Sequence, residues 1–156
     1  MPIRPFRDDD APALAALFHA AVHGIAARHY RPDQVRAWSP APGDPRRFAA
    51  RARDGRTLLV AVDRDDRPIA YGDVEPDGHI DHLYCHPDHA GTGIAAALLA
   101  AIEAAARDRR IRRLHVEASE PARRFLSKHG FAELRRRDFA IGGVAIHNYA
   151  MEKRLD

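Results

Sequence analysis

Cys85-His-Pro-Asp-His-Ala-Gly-Thr-Gly-Ile-Ala-Ala-Ala-Leu-Leu99 passes without interruption from the end of an extended segment, through a glycine turn, into an alanine-rich helix. The order matters. The first amides of a helix have no intrahelical acceptor and sit at the positive end of the macrodipole, so the N–H groups of Gly91, Thr92, Gly93, Ile94 and Ala95 can be presented together to a pyrophosphate. Gly91 and Gly93 allow the sharp turn and let phosphate oxygens approach the backbone. A Gly-x-Gly turn also joins strands to helices with no ligand at all, so its surroundings must decide. No Gly-Lys-Ser/Thr follows the turn, which removes the P-loop. The turn follows a meander rather than opening a βαβ unit, which leaves a dinucleotide fold without support. Coenzyme A remains, with its pyrophosphate on the turn and its amide-bearing arm extended along a strand edge.

Upstream of the turn, Thr57 to Asp63, Pro68 to Glu75 and His79 to Cys85 read as strands joined by short turns, hence an antiparallel meander. Downstream, Ile94, Leu98 and Ile102 recur every four residues and predict a helix from Gly93 to about Arg109, whose alanine faces can pack closely on a sheet. The rest predicts a strand Leu114 to Ala118, a helix Ala122 to His129 closed by Gly130, a strand Phe131 to Asp138, a turn at Gly142-Gly143 and a strand Val144 to Met151. Before the meander, Ile3 to Phe6 is extended, and Asp8 to Asp10 supply capping carboxylates to a helix with its stripe at Leu14, Leu17, Phe18, Ala21, Val22 and Ile25. His29 to Asp44, broken by prolines, has room for one short helix, and Arg46 to Arg53 predicts another. The fold class is α+β: a single domain over residues 1–156, with one mixed, mostly antiparallel central sheet flanked by helices on both faces.

Composition limits the function. A chain of 156 residues, 46% hydrophobic and 30% charged, has the size and balance of one core, so one site is sought. Its apolar stretches fall short of a membrane span and its N-terminus lacks the apolar core of a signal peptide, so a cytoplasmic protein with no membrane partner is expected. Cys85 is the only cysteine, which excludes an internal disulfide and a Cys-rich zinc site. The net charge of +3 is carried almost wholly by arginine. The basic runs Arg107 to Arg113 and Arg135 to Arg137 are separated, so nucleic acid is not the expected partner, and the excess suits attraction of a phosphate-bearing cofactor.

Ala90-Gly-Thr-Gly-Ile-Ala95 resembles the Gln/Arg-x-x-Gly-x-Gly/Ala motif of the GNAT N-acetyltransferase family. Leu114-His-Val-Glu-Ala-Ser-Glu-Pro-Ala-Arg-Arg-Phe-Leu-Ser-Lys-His-Gly-Phe131 is similar to the family's next strand and the helix ending in Phe-Tyr-x-Lys-x-Gly-Phe. Gly143-Val-Ala-Ile-His-Asn-Tyr-Ala-Met-Glu-Lys153 and Gly78-His-Ile-Asp-His-Leu-Tyr84 are similar to a poorly characterised bacterial branch. The likeness runs from about Ile3 to Leu155 and is thinnest between His29 and Arg53. Two positions depart from it. Ala90 stands where Gln or Arg is usual, which removes a side chain near the phosphates but keeps the amides, and Leu126 replaces a tyrosine that often acts as general acid. The resemblance implies acetyl-CoA as co-substrate, a small-molecule or peptide amine as acceptor and no metal. An exposed edge strand near the C-terminus could pair across a homodimer.

In that family the strand corresponding to His79 to Cys85 is bulged and splays from the one corresponding to Leu114 to Ala118. The resemblance therefore places pantetheine in the gap, paired with backbone groups of Leu83 and Cys85, one of whose N–H groups polarises the thioester carbonyl. Ser119 matches a position whose side chain reaches the cofactor arm, and Phe125 packs beside it. An amine like that of lysine arrives protonated, with a pKa of about 10.4, so a base is required. Asp81 and His79 are the expected bases, directly or through water, with His82 third; Tyr84 or water would protonate the thiolate. The plainer roles are an Asp81 that pairs with an arginine and histidines that lie at the surface. His29, Tyr30 and Trp38, with His23, fall in the segment that roofs the family's acceptor pocket, or else Tyr30 and Trp38 only anchor a proline-rich loop. Asp73, Glu75 and Glu117 would attract a cation. Cys85 as a nucleophile is the alternative to direct transfer. His79, His82, His86 and His89 lie close in sequence, but His79 and His82 should face opposite sides of a strand, so no metal is expected there. The competing reading is a coenzyme A sensor without catalysis, favoured by Ala90 and Leu126.

Overall fold

The computed structural model describes residues 2–156, which form eight strands and five α-helices. In chain order these are β1 (Ile3–Pro5), α1 (Ala11–Gly24), α2 (Pro32–Trp38), α3 (Pro45–Ala52), β2 (Thr57–Val62), β3 (Pro68–Val74), β4 (His79–Ile80), β5 (Leu83–Cys85), α4 (Ile94–Asp108), β6 (Arg113–Ala118), α5 (Glu120–Lys128), β7 (Ala132–Ile141) and β8 (Val144–Arg154). Local chemistry sets several boundaries. The Asp44 carboxylate accepts from the Arg46 amide at the start of α3, and Ser119 does the same for Ala122 at the start of α5. Gly130 ends α5 at φ +92°, a conformation costly for any residue with a Cβ. Asp10 behaves otherwise than expected. Its carboxylate turns back to the Arg7 amide and the Arg4 guanidinium instead of capping α1.

The strands form two four-stranded sheets, ordered β1-β2-β3-β5 and β4-β6-β8-β7, rather than the single sheet expected. Every neighbouring pair is antiparallel except β4 with β6. The division falls inside the segment His79 to Cys85: its first two residues pair with β6 and its last three with β3. The α+β class, the antiparallel majority and the flanking helices are as the sequence predicts.

Helix α4 buries Ile94, Leu98, Leu99, Ile102 and Ala106 against β2 and β3. Its approach is close enough that a Cβ on Gly72 would lie 2.8 Å from the Ile102 side chain. On the other side, α1 buries Leu14, Leu17 and Val22. Asp8–Arg28, with α1 at its centre, is long and apolar enough to match a membrane span by composition, at a mean hydropathy of 1.2. That corrects the expectation that no stretch reaches this length. Its apolar side chains pack on Val60, Tyr71 and neighbouring residues of the first sheet, the arrangement of a core helix.

Candidate active site

Asp73, fully buried on β3, creates the opening between the two sheets. One carboxylate oxygen accepts the backbone N–H groups of both Asp81 and His82 at 2.9 Å, which takes these amides out of either ladder. The other oxygen receives Arg56 at 2.8 Å and Arg51 at 3.1 Å. Four donors thus offset the cost of burying this carboxylate. Beyond the break, the Asp73 amide donates to the His82 carbonyl and the His86 amide to the Ile69 carbonyl, while Tyr71 pairs with Tyr84. Antiparallel alternation then turns the N–H and C=O groups of Leu83 and Cys85 away from β3, towards the open edge of β5.

An apolar cleft of about 400 Å³ borders that edge and reaches the glycine turn. Of the residues expected to hold the cofactor, Leu83, Cys85, Gly91, Gly93, Ile94, Ala95, Ser119 and Phe125 line it. Thr92 does not; its hydroxyl donates to the His89 carbonyl at 2.5 Å and braces the turn. Gly91 and Gly93 have φ of +76° and +86°, and a Cβ on either would meet nothing within 4 Å. The glycines are therefore required by conformation, and the space above them is open to a ligand. Gly93 caps α4 without a side-chain hydrogen bond, which leaves the first amides of the helix to serve phosphate oxygens. Turn, strand edge and apolar walls together fit a nucleotide with an amide-bearing arm.

A second cleft, about 320 Å³, lies between the strand break and the β7–β8 hairpin. The two share Trp38, Leu83, Tyr84, Ser119 and Ala122, so they meet at the outward-facing backbone of β5. The second cleft contains His79, Asp81, His82 and Glu117. His79 Nδ1 lies 2.7 Å from Glu75 Oε1 and Nε2 lies 3.0 Å from Glu117 Oε1. Hydrogen bonding to Glu117, with a further contribution from Glu75, pushes the His79 pKa up to about 9 against the cost of burial. The same contact with His79 holds Glu117 below the usual carboxylate range. Burial opposes ionisation of Asp81, but the guanidinium groups of Arg51 at 2.5 Å and Arg56 at 3.3 Å outweigh it and lower its pKa. Asp81 thus has the arginine pairing that was its plainer role. His82 stacks on Phe18 at 5.3 Å, and its Nδ1 meets the Tyr71 hydroxyl at 2.9 Å. Burial pulls its pKa down to about 4, so it is neutral at physiological pH. Burial also raises the Tyr84 phenol, which stays protonated as a donor.

A family model described as an acetyltransferase (GNAT) domain matches residues 26–153. The chain belongs to the GNAT acetyltransferase family. It is 26% identical over 150 residues to the uncharacterized N-acetyltransferase YafP of Escherichia coli strain K12, with 96% of this chain and 93% of that protein covered. The crystal structure named "GCN5-Related N-acetyltransferase: Aminotransferase, Class-II" from Rhodopseudomonas palustris is similar at 35% identity and a TM-score of 0.89, over 99% of this chain and 95% of that one. The fold is also shared, at 20% identity and a TM-score of 0.78, with yncA of Salmonella typhimurium, a putative acetyltransferase solved with its cofactor acetyl-CoA; 100% of this chain and 94% of that one are covered.

This GNAT member is an N-acetyltransferase with acetyl-CoA as co-substrate. Tyr30 and Trp38 line the second cleft, meeting edge to face at 5.6 Å. Tyr30 also anchors its loop, donating to the His147 carbonyl and accepting from the Glu120 amide, both at 3.0 Å. His29 is exposed and lines neither cleft, so its expected place in the acceptor pocket is corrected: the chain turns at Tyr30 and leaves His29 facing outward. Leu126, at the position of the family's frequent tyrosine, is 1% exposed and belongs to the core. Arg137, Asn148 and His147 also line the second cleft and were not singled out from the sequence. Alternation along β7, which brings Arg137, Phe139 and Ile141 to one face, was the available signal.

Proposed function

We propose that the chain acetylates a small-molecule or peptide amine by direct transfer in the cytoplasm, as one catalytic domain over residues 1–156, with His79 as the base. The observation that carries this reading is the junction of the two clefts at Leu83 and Tyr84, with the His79–Glu117 pair on the acceptor side. Aromatic faces of Phe18, Tyr30 and Trp38, with the carboxylates of Glu117 and Asp81, suit an ammonium group entering the cleft.

Acetyl-CoA supplies an acetyl group activated as a thioester. Gly91 to Ala95 present amides to its phosphates, and Leu83 and Cys85 pair with its arm along the β5 edge. One of the outward N–H groups of β5 donates to the carbonyl oxygen as negative charge develops there. His79 in its neutral form takes a proton from the amine, directly or through water, and Glu117 stabilises the imidazolium that results. The Tyr84 hydroxyl donates a proton to the departing sulfur. Asp81 and Asp73, bound to Arg51 and Arg56, keep the two sheets apart and shape the acceptor side.

Thiol release from acetyl-CoA, measured against polyamines, amino acids, aminoglycosides and peptides with free N-termini, tests the reading. Amine-dependent release that falls at least tenfold in His79→Gln supports it. Coenzyme A binding with no release for any amine would instead support the sensor.

A further inference from the structure

Strands β4 and β6 run parallel with His79 opposite His115, and Glu117 follows two residues along β6 on the same face. One nitrogen of each histidine and one Glu117 oxygen all lie within 4.8 Å of one another. The two imidazoles are nearly parallel at 5.1 Å between centroids, and His79 Nε2 is 3.0 Å from Glu117 Oε1. Ligand atoms about 2.1 Å from a tetrahedral zinc ion stand roughly 3.4 Å apart. The His79–Glu117 pair is already within that spacing. The His115 side chain is 26% exposed and lies 3.8 Å from the exposed Asp77 carboxylate, so it is not locked in the core. Glu75 contributes a separate feature: it holds His79 Nδ1 at 2.7 Å, the carboxylate–histidine arrangement that leaves Nε2 as the metal-binding nitrogen.

We propose that His79, His115 and Glu117 form a three-ligand site for a divalent transition ion of the zinc type, and that the bound ion reversibly inhibits acetyl transfer. The ion is an inhibitor and not a cofactor: it occupies the Nε2 lone pair that the reaction needs. Two imidazoles and one carboxylate favour zinc over magnesium or calcium, which prefer all-oxygen sites. A fourth coordination position is left to water. The inhibition rests on His79 being the base, whereas the binding does not.

The test titrates Zn²⁺ against a chromophoric chelator in the presence of the purified chain, with Co²⁺ absorption as the spectroscopic counterpart. Wild type should bind one ion per chain. His115→Ala should weaken binding at least ~100-fold through loss of a ligand, and Glu75→Gln about 10- to 100-fold through loss of the orienting carboxylate. His86→Ala, which alters a different histidine pair, should bind as wild type does. His115→Gln serves if the alanine variant fails to fold. Zn²⁺ should slow thiol release by wild type, a chelator should restore it, and His115→Ala should turn over normally and resist the metal. Absence of binding, wild-type affinity in both His115 variants, or loss of binding in His86→Ala would overturn the site. Ligand-dependent binding with undiminished transfer would overturn the inhibition and count against His79 as base, while leaving the metal site standing.

Discussion

Acetyl transfer should rise with pH along a limb whose midpoint, near 9, belongs to His79. Below that pH the ring is an imidazolium facing Glu117 and Glu75 and has no lone pair for the amine proton. An ordinary histidine would be mostly neutral at pH 7, but one titrating near 9 is about 1% neutral there and about 10% neutral at pH 8. The rate constant kcat/KM should therefore increase about tenfold per pH unit up to 8 and level off above 9. Glu117→Gln removes the largest cause of the raised pKa while Glu75 remains, so the midpoint moves to lower pH without returning fully to the ordinary value. A shift of one unit would give roughly ten times more neutral His79 at pH 7; the weaker base would return part of this gain, for a net increase of about threefold on a Brønsted slope near one half. The assay is thiol release at constant ionic strength from pH 6 to 10, for wild type, Glu117→Gln and His79→Gln. Deprotonation of the acceptor in solution produces a similar slope, but its midpoint is indifferent to residue 117. If both variants keep the wild-type limb at the wild-type midpoint, the proton leaves the amine elsewhere and the reasoning about His79 is refuted.

Gly93→Ala should lower stability by about 1 kcal/mol, because alanine must adopt a φ of +86°, and should reduce the rise in melting temperature produced by coenzyme A. Asp73→Ala leaves the amides of Asp81 and His82 without their acceptor, while Arg56 keeps Asp54 and Asp81; urea unfolding should show a loss of about 2–4 kcal/mol. Leu126→Tyr restores the family's frequent residue at a buried position, and calorimetry should show destabilisation of about 1–3 kcal/mol from overpacking, with no gain in kcat. Cys85→Ala should retain amine-dependent turnover, and the wild type should form no acetylated protein by mass spectrometry, if transfer is direct as proposed.

The glycine turn was legible because its determinants are local: two glycines, the end of a strand and the start of a helix lie within fifteen residues. Helix stripes and hairpins were legible for the same reason, and their observed ends differ from the expected ones by a few residues. The division into two sheets was not. It depends on a carboxylate eight residues before Asp81 turning inward to take two consecutive amides, and on Arg51 and Arg56 neutralising it. Composition gives Asp73 no mark that separates it from a surface aspartate. His79 was selected by its place on the strand, but its basicity depends on Glu117, thirty-eight positions away and brought close only by the parallel β4–β6 pair. His115 was overlooked for that reason: parallel neighbours have no sequence proximity to reveal them.

The two clefts explain why direct transfer is favoured over a covalent acetyl-cysteine. Cys85 borders the donor cleft and not the acceptor cleft, while Leu83 and Tyr84 border both. Its thiol donates to the His86 carbonyl at 3.4 Å, and burial raises its pKa, so thiolate is scarce. An acetyl group parked on that sulfur would have to cross β5 to meet an amine held near His79. On the proposed reading, a thioester laid along the β5 edge would bring its carbonyl to the junction of the two clefts, which Leu83 and Tyr84 both line. The loss of the tyrosine at position 126 is tolerable on the proposed geometry: a leaving thiolate with a pKa of about 8.5 needs little help, and Tyr84 on β5, kept protonated by burial, would supply a donor. The strand break set by Asp73 thus couples fold to the proposed reaction, since the displacement that opens the β5 edge also leaves His79 lining the adjoining cleft.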